Sequence, residues 1–156
     1  MTVVILGITA TMFTDALVNA VKTFTLFDDR KESVFMIDFG INRILKDCRY
    51  IKRGYISYAS HDRLDFEDAY GRHLSFRLTG SNLEMSMDNG VNYFVLAQYI
   101  SSLTISYYTK TNVQLADPVP LANLGDIHWI EIRLDGRPEI LNYKSIMQVF
   151  PREMFR

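Results

Sequence analysis

Residues 24–48 read FTLFDDRKESVFMIDFGINRILKDC, and this stretch decides the fold. It contains no proline, and its apolar side chains recur three, four or seven positions apart, which places them on one side of an α-helix. The apolar stripe consists of Phe24, Phe27, Val34, Ile37, Ile41, Ile44 and Cys48. The opposite face carries Asp28, Asp29, Lys31, Asp38, Asn42, Arg43, Lys46 and Asp47. The pattern predicts an amphipathic helix whose apolar side covers another element.

After this stretch the apolar period changes from helical spacing to strict alternation, which is typical of half-buried β-strands. The alternating sets are Leu64 and Phe66; Leu74, Phe76 and Leu78; Leu83, Met85 and Met87; Leu103, Ile105 and Tyr107; and Ile130, Ile132 and Leu134. Two further strands are predicted at residues 93–100 and 145–150. Alternation with one apolar side predicts an antiparallel meander that buries one face.

Turn signals separate these strands. Residues 79–82, TGSN, predict a turn, and Asp88-Asn89-Gly90 is the strongest hairpin signal because Asn-Gly accepts positive φ angles. Asp135-Gly136 predicts a turn that ends the strand containing Ile130, Ile132 and Leu134. Residues 110–125 contain Pro118 and Pro120 and follow no period, which predicts a long surface loop available for partner-specific contacts.

A helix with one apolar stripe and a meander with one apolar face can bury each other. The sequence therefore predicts the α+β class, with a long N-terminal α-helix packed on an antiparallel β-sheet. We divide the chain into residues 1–23, an apolar helix segment, and residues 24–156, a globular domain made of the amphipathic helix and the sheet.

The first segment is apolar on nearly all sides. Residues 3–13 read VVILGITATMF, and no charge occurs before Asp15. The run is shorter than the roughly 18 to 20 residues that a transmembrane helix needs, and no basic region precedes it as in a signal peptide. Two interpretations of the run stay open: a buried core helix, and a membrane helix whose first turns precede this chain. The residues expected to pack are Val3, Ile5, Leu6, Gly7, Ile8, Met12, Phe13, Leu17 and Val21.

Composition argues against nucleic-acid binding. The chain has 17 basic and 18 acidic residues, a net charge of −1, whereas nucleic-acid binders show a basic excess or stripe. Several aromatic residues offer flat faces for stacking, but core filling and subunit contacts are the better interpretation. They are Tyr93, Tyr99, Tyr107, Tyr108 and Trp129.

Residues with catalytic or metal-binding chemistry are few. Cys48 and His128 form a possible thiol–imidazole pair, although the place of Cys48 on the apolar stripe favours a buried, inert thiol. A polar cluster offers metal ligands, but its alternation with Leu64 and Phe66 favours a solvated sheet face. The cluster consists of His61, Asp62, Asp65, Glu67, Asp68 and His73. Neither G-x-S-x-G, H-E-x-x-H nor a phosphate-binding loop occurs, so we expect no enzyme, no cofactor and no metal.

Several segments together resemble a known family. They are residues 1–10, MTVVILGITA; residues 39–51, FGINRILKDCRYI; residues 97–108, AQYISSLTISYY; residues 127–134, IHWIEIRL; and residues 150–154, FPREM. In this order they are similar to the type IV pilin-like superfamily, in particular to J-type minor pseudopilins of type II secretion and related minor pilins. The prepilin leader, its processing glycine, the following phenylalanine and the early glutamate have no counterpart here, so the resemblance implies a chain that begins just past them.

The resemblance implies a structural subunit, a prepilin-type protein of protein transport, methylated at its mature N-terminus in this family. Its helix would sit as a single pass in the bacterial inner membrane and then in a pseudopilus or pilus. Its globular domain would face the periplasm and contact other minor pilins or pseudopilins near the tip. The alternative is a soluble β-rich module that binds a small ligand under a helical lid, which predicts that the first twenty residues are buried in their own domain.

Overall fold

A computed structural model describes the backbone of residues 2–136 and 144–151, and side chains from Phe13 onward except Asp29 and Arg53. One helix, α1 (Thr2–Cys48), precedes eight strands. The strands are β1 (Ile51–Ala59), β2 (Arg63–Asp68), β3 (His73–Thr79), β4 (Asn82–Ser86), β5 (Phe94–Ala97), β6 (Ile100–Tyr108), β7 (Trp129–Gly136) and β8 (Lys144–Val149). A 3-10 helix, Leu121–Asp126, lies between β6 and β7. The chain divides into two compact units, Met1–Glu32 and Ser33–Arg156, and α1 contributes to both.

The strands form two antiparallel sheets rather than the single sheet that the sequence predicts. Sheet A has the order β1-β2-β3-β4-β5, and sheet B has the order β6-β7-β8. The chain passes from one sheet to the other at Gln98 and Tyr99, where Tyr99 adopts a φ of 63°. The predicted α+β class is confirmed, and the strand period is confirmed in β2, β6 and β7, where burial alternates along the strand.

The core forms where the apolar faces of both sheets meet the second part of α1. Ile37, Ile41, Ile44 and Cys48 are fully buried at the helical spacing expected from the sequence. Gly40 permits close approach to sheet A: a Cβ atom built there would lie 2.8 Å from Leu83 Cδ2. Side chains from all eight of these strands fill the rest of the centre, including Ile51, Leu64, Phe66, Phe76, Leu83, Met85, Ala97, Leu103, Ile105, Ile130, Ile132 and Val149.

The predicted extent of the covering stripe is wrong at its start. Phe24 and Phe27 are 75% and 65% exposed, and Ser33 is the first buried side chain among those of α1 that the structure describes. The physical reason is length: α1 from Ser33 to Cys48 measures about 24 Å at 1.5 Å per residue. Five strands spaced by about 4.8 Å span roughly 19 Å. That part of the helix is therefore long enough to cover sheet A by itself.

An ionic network joins the end of α1 to the β2–β3 turn. Asp47, which the sequence places on the polar face, is buried, and its carboxylate accepts a hydrogen bond from Arg43 Nε at 2.7 Å. Arg72 lies between Asp47 and the fully buried Asp68, with its Nε 2.6 Å from Asp68 Oδ2. Asp68 also accepts the backbone N–H groups of Tyr70 and Arg72. The buried carboxylates are thus paired and hydrogen-bonded, as burial of charge requires.

Strand β1 was not predicted. Its pairing with β2 shifts register twice, between Ile51 and Ile56 and again before Tyr58. Gly54 adopts a φ of 73° inside the strand, a conformation that favours glycine. These irregularities break the period of two that identifies a strand in the sequence.

The two predicted loops differ from expectation in extent. Asn89 and Gly90 have the expected positive φ angles of 63° and 78°, but the link between β4 and β5 is longer than a two-residue hairpin. The strand predicted at residues 93–100 is shorter, because only Phe94–Ala97 pairs with β4. The loop at residues 110–125 is fastened to the sheets: Val119 is buried, and its N–H donates to the Ala59 carbonyl at 2.9 Å.

Candidate functional site

The candidate site is an exposed apolar stripe on α1 in the first unit. Phe13, Leu17, Val21 and Phe24 follow one another at intervals of four, four and three residues, so they lie on one side of the helix. Each of these four residues is between 58% and 75% exposed. Val18 and Phe27 flank them and are also exposed, whereas the exposed Leu26, four positions after Lys22, lies on the opposite side of the helix. The helix therefore presents large apolar groups that the rest of the described chain leaves uncovered.

The sequence-predicted packing residues fall into two groups. Phe13, Leu17 and Val21 lie on this stripe and are exposed, as a packing surface requires. The side chains of the other predicted residues lie outside the described part of the chain. These residues are Val3, Ile5, Leu6, Gly7, Ile8 and Met12.

The two charged residues between Phe13 and Phe24, Asp15 and Lys22, lie away from the stripe. Asp15 lies two positions from both Phe13 and Leu17, which at 100° per residue turns it to the other side of the helix. Lys22 is seven positions from Asp15 and shares its side. A partner that packs on the stripe would therefore meet neither charge.

Two threonines on the same stretch satisfy their hydroxyl groups within the helix. Thr23 Oγ1 donates to the Asn19 carbonyl at 2.8 Å, and Thr25 Oγ1 donates to the Lys22 carbonyl at 3.0 Å. A hydroxyl that already has a hydrogen-bond partner costs less to remove from water than one that lacks it. These polar residues are thus compatible with burial against another protein.

A second apolar patch lies on α1 within the second unit. Phe35 and Phe39 are one helical turn apart, at least half exposed, and stacked with ring centroids 6.5 Å apart. They lie away from the buried positions Ile37 and Ile41. The sequence analysis missed this pair because the surrounding residues, such as Asp38, mark the face as polar. The signal that identifies it is the spacing of four residues between two phenylalanines.

Within the described residues, no helix is both long enough and apolar enough to cross a lipid bilayer. The single-pass inner-membrane position expected from the sequence is therefore not supported.

The possible thiol nucleophile lies in the core. Cys48 is fully buried, and burial together with the neighbouring Asp47 raises the pKa of its thiol far above the usual range. Only the thiolate is nucleophilic, so this thiol is unreactive in the folded protein. His128 lies elsewhere, in a cleft of about 310 Å³ whose lining includes Gly54, Thr109, Lys110, Asp126 and His128.

The polar cluster that offered metal ligands is divided among separate partners. Asp65 pairs with Arg63, Asp68 with Arg72, and Glu67 with Lys52. His61 Nδ1 lies 2.7 Å from Asp117 of the long loop, and Asp62 accepts a hydrogen bond from Ser60. Across residues 2–136 and 144–151 no three His, Cys, Asp or Glu side chains converge on a position for a metal ion.

Four of the five aromatic residues that offered stacking faces contact other groups of the protein, whereas Tyr99 is exposed. Tyr107 is buried and donates its hydroxyl hydrogen to the Ser60 carbonyl at 2.9 Å. Tyr108 and Trp129 stack on each other at 3.8 Å, and the Arg77 guanidinium lies 3.5 Å over the ring of Tyr93. Burial raises the pKa of Tyr107 well above its ordinary value. These contacts fit core filling and surface packing better than the binding of bases.

The helical-lid alternative requires the beginning of the chain to be buried in its own domain. Residues 13–28 are instead exposed wherever the structure describes their side chains. The cleft of about 310 Å³ is lined by β1, the turn after β6 and the segment before β7, and α1 contributes none of its described residues to it. The described geometry therefore does not favour a lid.

Comparison with known proteins adds no relationship: no protein-family model matches the chain, and no curated protein matches its sequence.

Proposed function

We propose that this chain is a structural assembly subunit of the pilin-like kind, not an enzyme. Its first helical segment packs against helices of other subunits in a filament, and its β-rich part is displayed beside them. The observation that carries this proposal is the exposed stripe on α1, because a globular domain rarely leaves so much apolar surface in water.

The area of the stripe supports the proposal. The four stripe residues with the flanking Val18 and Phe27 expose roughly 700 Å² if each side chain has about 200 Å² or less to offer. Contiguous apolar patches on monomeric proteins are typically only a few hundred Å². At about 25 cal/mol per Å², burial of this surface contributes roughly 17 kcal/mol before the costs of association are subtracted. A helix–helix interface can therefore be driven by the stripe alone.

The partners follow from the resemblance of the sequence to the pilin-like superfamily. They are other minor pilins or pseudopilins of a type II secretion pseudopilus or a type IV pilus, with this subunit in a tip or initiation complex. In that setting the globular unit lies in the periplasm, and the apolar segment is held by the inner membrane before assembly. The long loop at residues 110–125 offers the variable contact surface, because it joins β6 to β7 with a 3-10 helix as its only regular element.

Substitution of Leu17 tests the proposal in the assembled system. Leu17→Glu places a carboxylate in the centre of the stripe, and its burial without a partner costs several kcal/mol. We expect at least a hundredfold loss of association with the other subunits, which corresponds to about 2.7 kcal/mol. The measurement is chemical crosslinking of the subunit to its neighbours in cells, together with secretion or piliation.

Asn19→Glu is the matched control, because Asn19 is exposed on the same helix but away from the stripe. It adds the same charge and should retain most of the association. Equal crosslinking of both variants, at the level of the unmodified protein, would refute packing through the stripe.

A further inference from the structure

The link between β4 and β5 contains Asn89-Gly90, which is the only asparagine–glycine pair in the chain. In such a pair the backbone nitrogen of the glycine can attack the side-chain amide carbon of the asparagine, because glycine has no side chain that hinders its approach. Asn89 is exposed to solvent. Spontaneous deamidation of an asparagine is therefore chemically easiest at this link.

The fold requires a glycine at this position. Gly90 has a φ of 78°, in the region that favours glycine, and a Cβ atom built on it would lie 3.0 Å from the Tyr93 hydroxyl oxygen. Asn89 has a φ of 63°, which asparagine tolerates better than most residues. The two residues that suit this turn are thus the two that make it chemically reactive.

The hydroxyl group of Ser86 holds the nitrogen that would attack. Ser86 is fully buried at the end of β4, and its Oγ accepts a hydrogen bond from the Gly90 N–H at 3.0 Å. The same oxygen accepts a hydrogen bond from the Asp88 N–H at 3.3 Å. The Gly90 nitrogen must lose the proton that it donates to Ser86 before it can bond to carbon. This hydrogen bond therefore opposes the reaction.

Asp88 fixes the Ser86 hydroxyl in turn. Asp88 Oδ1 accepts hydrogen bonds from Ser86 Oγ at 2.6 Å and from the Asn92 N–H at 2.9 Å, and Asp88 Oδ2 accepts one from Asn92 Nδ2 at 2.6 Å. The hydrogen bonds from Ser86 and Asn92 lower the pKa of Asp88 to about 2, so the group is a carboxylate at neutral pH. The serine hydroxyl is thus held between a carboxylate and two backbone N–H groups.

We propose that Asn89 is a deamidation site that Ser86 protects while the β4–β5 link is folded. Reaction requires local opening of the link. The Gly90 nitrogen then loses its proton and bonds to Asn89 Cγ, the Cγ–Nδ2 bond breaks, and ammonia leaves with that proton. Water opens the resulting cyclic imide at either carbonyl group, which gives aspartate or isoaspartate. No oxidant or reductant takes part.

The modification changes both the charge and the backbone of the link. Asn89 lines a cleft of about 360 Å³ together with Glu67 and His73, and either product adds a carboxylate to that cleft. Isoaspartate also lengthens the backbone by one carbon atom, which displaces Gly90 from Ser86. The modified link cannot re-form its original hydrogen bonds. This inference does not depend on the helix stripe.

Mass-spectrometric peptide mapping of the full chain, incubated at mildly alkaline pH, measures the rate at which Asn89 loses its amide. We expect this rate to be at least tenfold lower in the folded chain than in the chain unfolded in urea. Ser86→Ala, and Asp88→Ala at an exposed residue, should each raise the rate in the folded chain. The increase should be roughly fivefold or more, which is the effect of one lost hydrogen bond on the opening equilibrium.

Two matched controls are available in the same chain. Ser60 is a buried serine whose hydroxyl donates to an aspartate two positions later, Asp62, at 2.7 Å, and Ser60→Ala should leave the rate at Asn89 unchanged. Asn112 is exposed and has a φ of 61°, but the branched Val113 follows it. In urea, Asn112 should keep its amide while Asn89 loses it.

Trp129 fluorescence shows that each variant is folded during the measurement. The proposal is overturned if Asn89 reacts as fast in the folded chain as in urea. It is also overturned if folded Ser86→Ala and Asp88→Ala react no faster than the unmodified protein, or if Ser60→Ala accelerates the reaction equally.

Discussion

Two substitutions that shorten side chains of the same helix, Ile41→Ala and Leu17→Ala, should have very different effects on the free energy of unfolding. Ile41 is fully buried against the sheets, whereas Leu17 is 58% exposed. Deletion of a fully buried isoleucine side chain removes its transfer free energy and leaves a cavity, at a cost of about 2–5 kcal/mol. Replacement of an exposed leucine by alanine, which is a strong helix former, changes the free energy of unfolding by about 0.5 kcal/mol or less.

Urea unfolding of the full chain measures this difference. Trp129 is the only tryptophan and lies in sheet B, so its fluorescence reports the unfolding of the β-rich unit. A domain of this size has a total stability of about 5–15 kcal/mol, so the Ile41→Ala midpoint should fall by a large fraction of its value. The assignment of α1 to two roles is refuted if Leu17→Ala lowers the free energy of unfolding as much as Ile41→Ala does.

Three further experiments, on Asp68, Tyr107 and Cys48, test contacts in the core. Asp68→Ala removes a buried acceptor from Arg72 and two backbone N–H groups, and should lower the free energy of unfolding by about 2–3 kcal/mol in urea titrations. The pKa of Tyr107 is raised on folding, so the folded protein favours the neutral phenol. The contribution of Tyr107 to the free energy of unfolding should therefore be full below pH 10 and decrease as the pH rises above 10. In Tyr107→Phe the melting temperature should decrease less steeply with pH above pH 10. An unchanged pH dependence in this variant would contradict the burial of the phenol. Cys48 should react with a thiol reagent only on unfolding, and rapid labelling of the native protein would contradict its place in the core.

Local periodicity was sufficient to predict most of the fold. Residues in β2, β6 and β7 alternate between apolar and polar side chains, because one face of each strand packs on the core. The buried helix positions from Ile37 to Cys48 follow the same logic with the helical period. The period fails in β1, where Gly54 and two register shifts interrupt it, so that strand could not be predicted.

The division into two sheets depends on tertiary contacts that periodicity does not encode. The sequence between β5 and β6 contains only Gln98 and Tyr99, and it carries no proline or glycine to mark a change of sheet. The apolar spacing on α1 likewise continues from Phe24 into the buried region, because the sequence pattern reports which face is apolar and not what covers it. The burial of Asp47 could not be predicted either, because one of its two ionic partners, Arg72, lies on a turn that is distant in the sequence.

The candidate site was predictable only in part. The uncharged start of the chain identified Phe13, Leu17 and Val21 as packing residues, and their exposure in the folded chain agrees with that use. Phe24 and Phe27 were assigned to the core, because a helical apolar stripe is more often buried inside a domain than offered to a partner.

The central claim is that α1 before Ser33 serves partners and is not needed for the fold of the β-rich unit. The most direct test is the free energy of unfolding of a chain that begins at Asp28, compared with that of the full chain. We predict cooperative unfolding with a free energy within about 1 kcal/mol of the full-length value, because the removed side chains that the structure describes, from Phe13 to Phe27, are exposed. Loss of cooperative unfolding, or a fall of several kcal/mol, would show that the apolar segment belongs to the domain's own core.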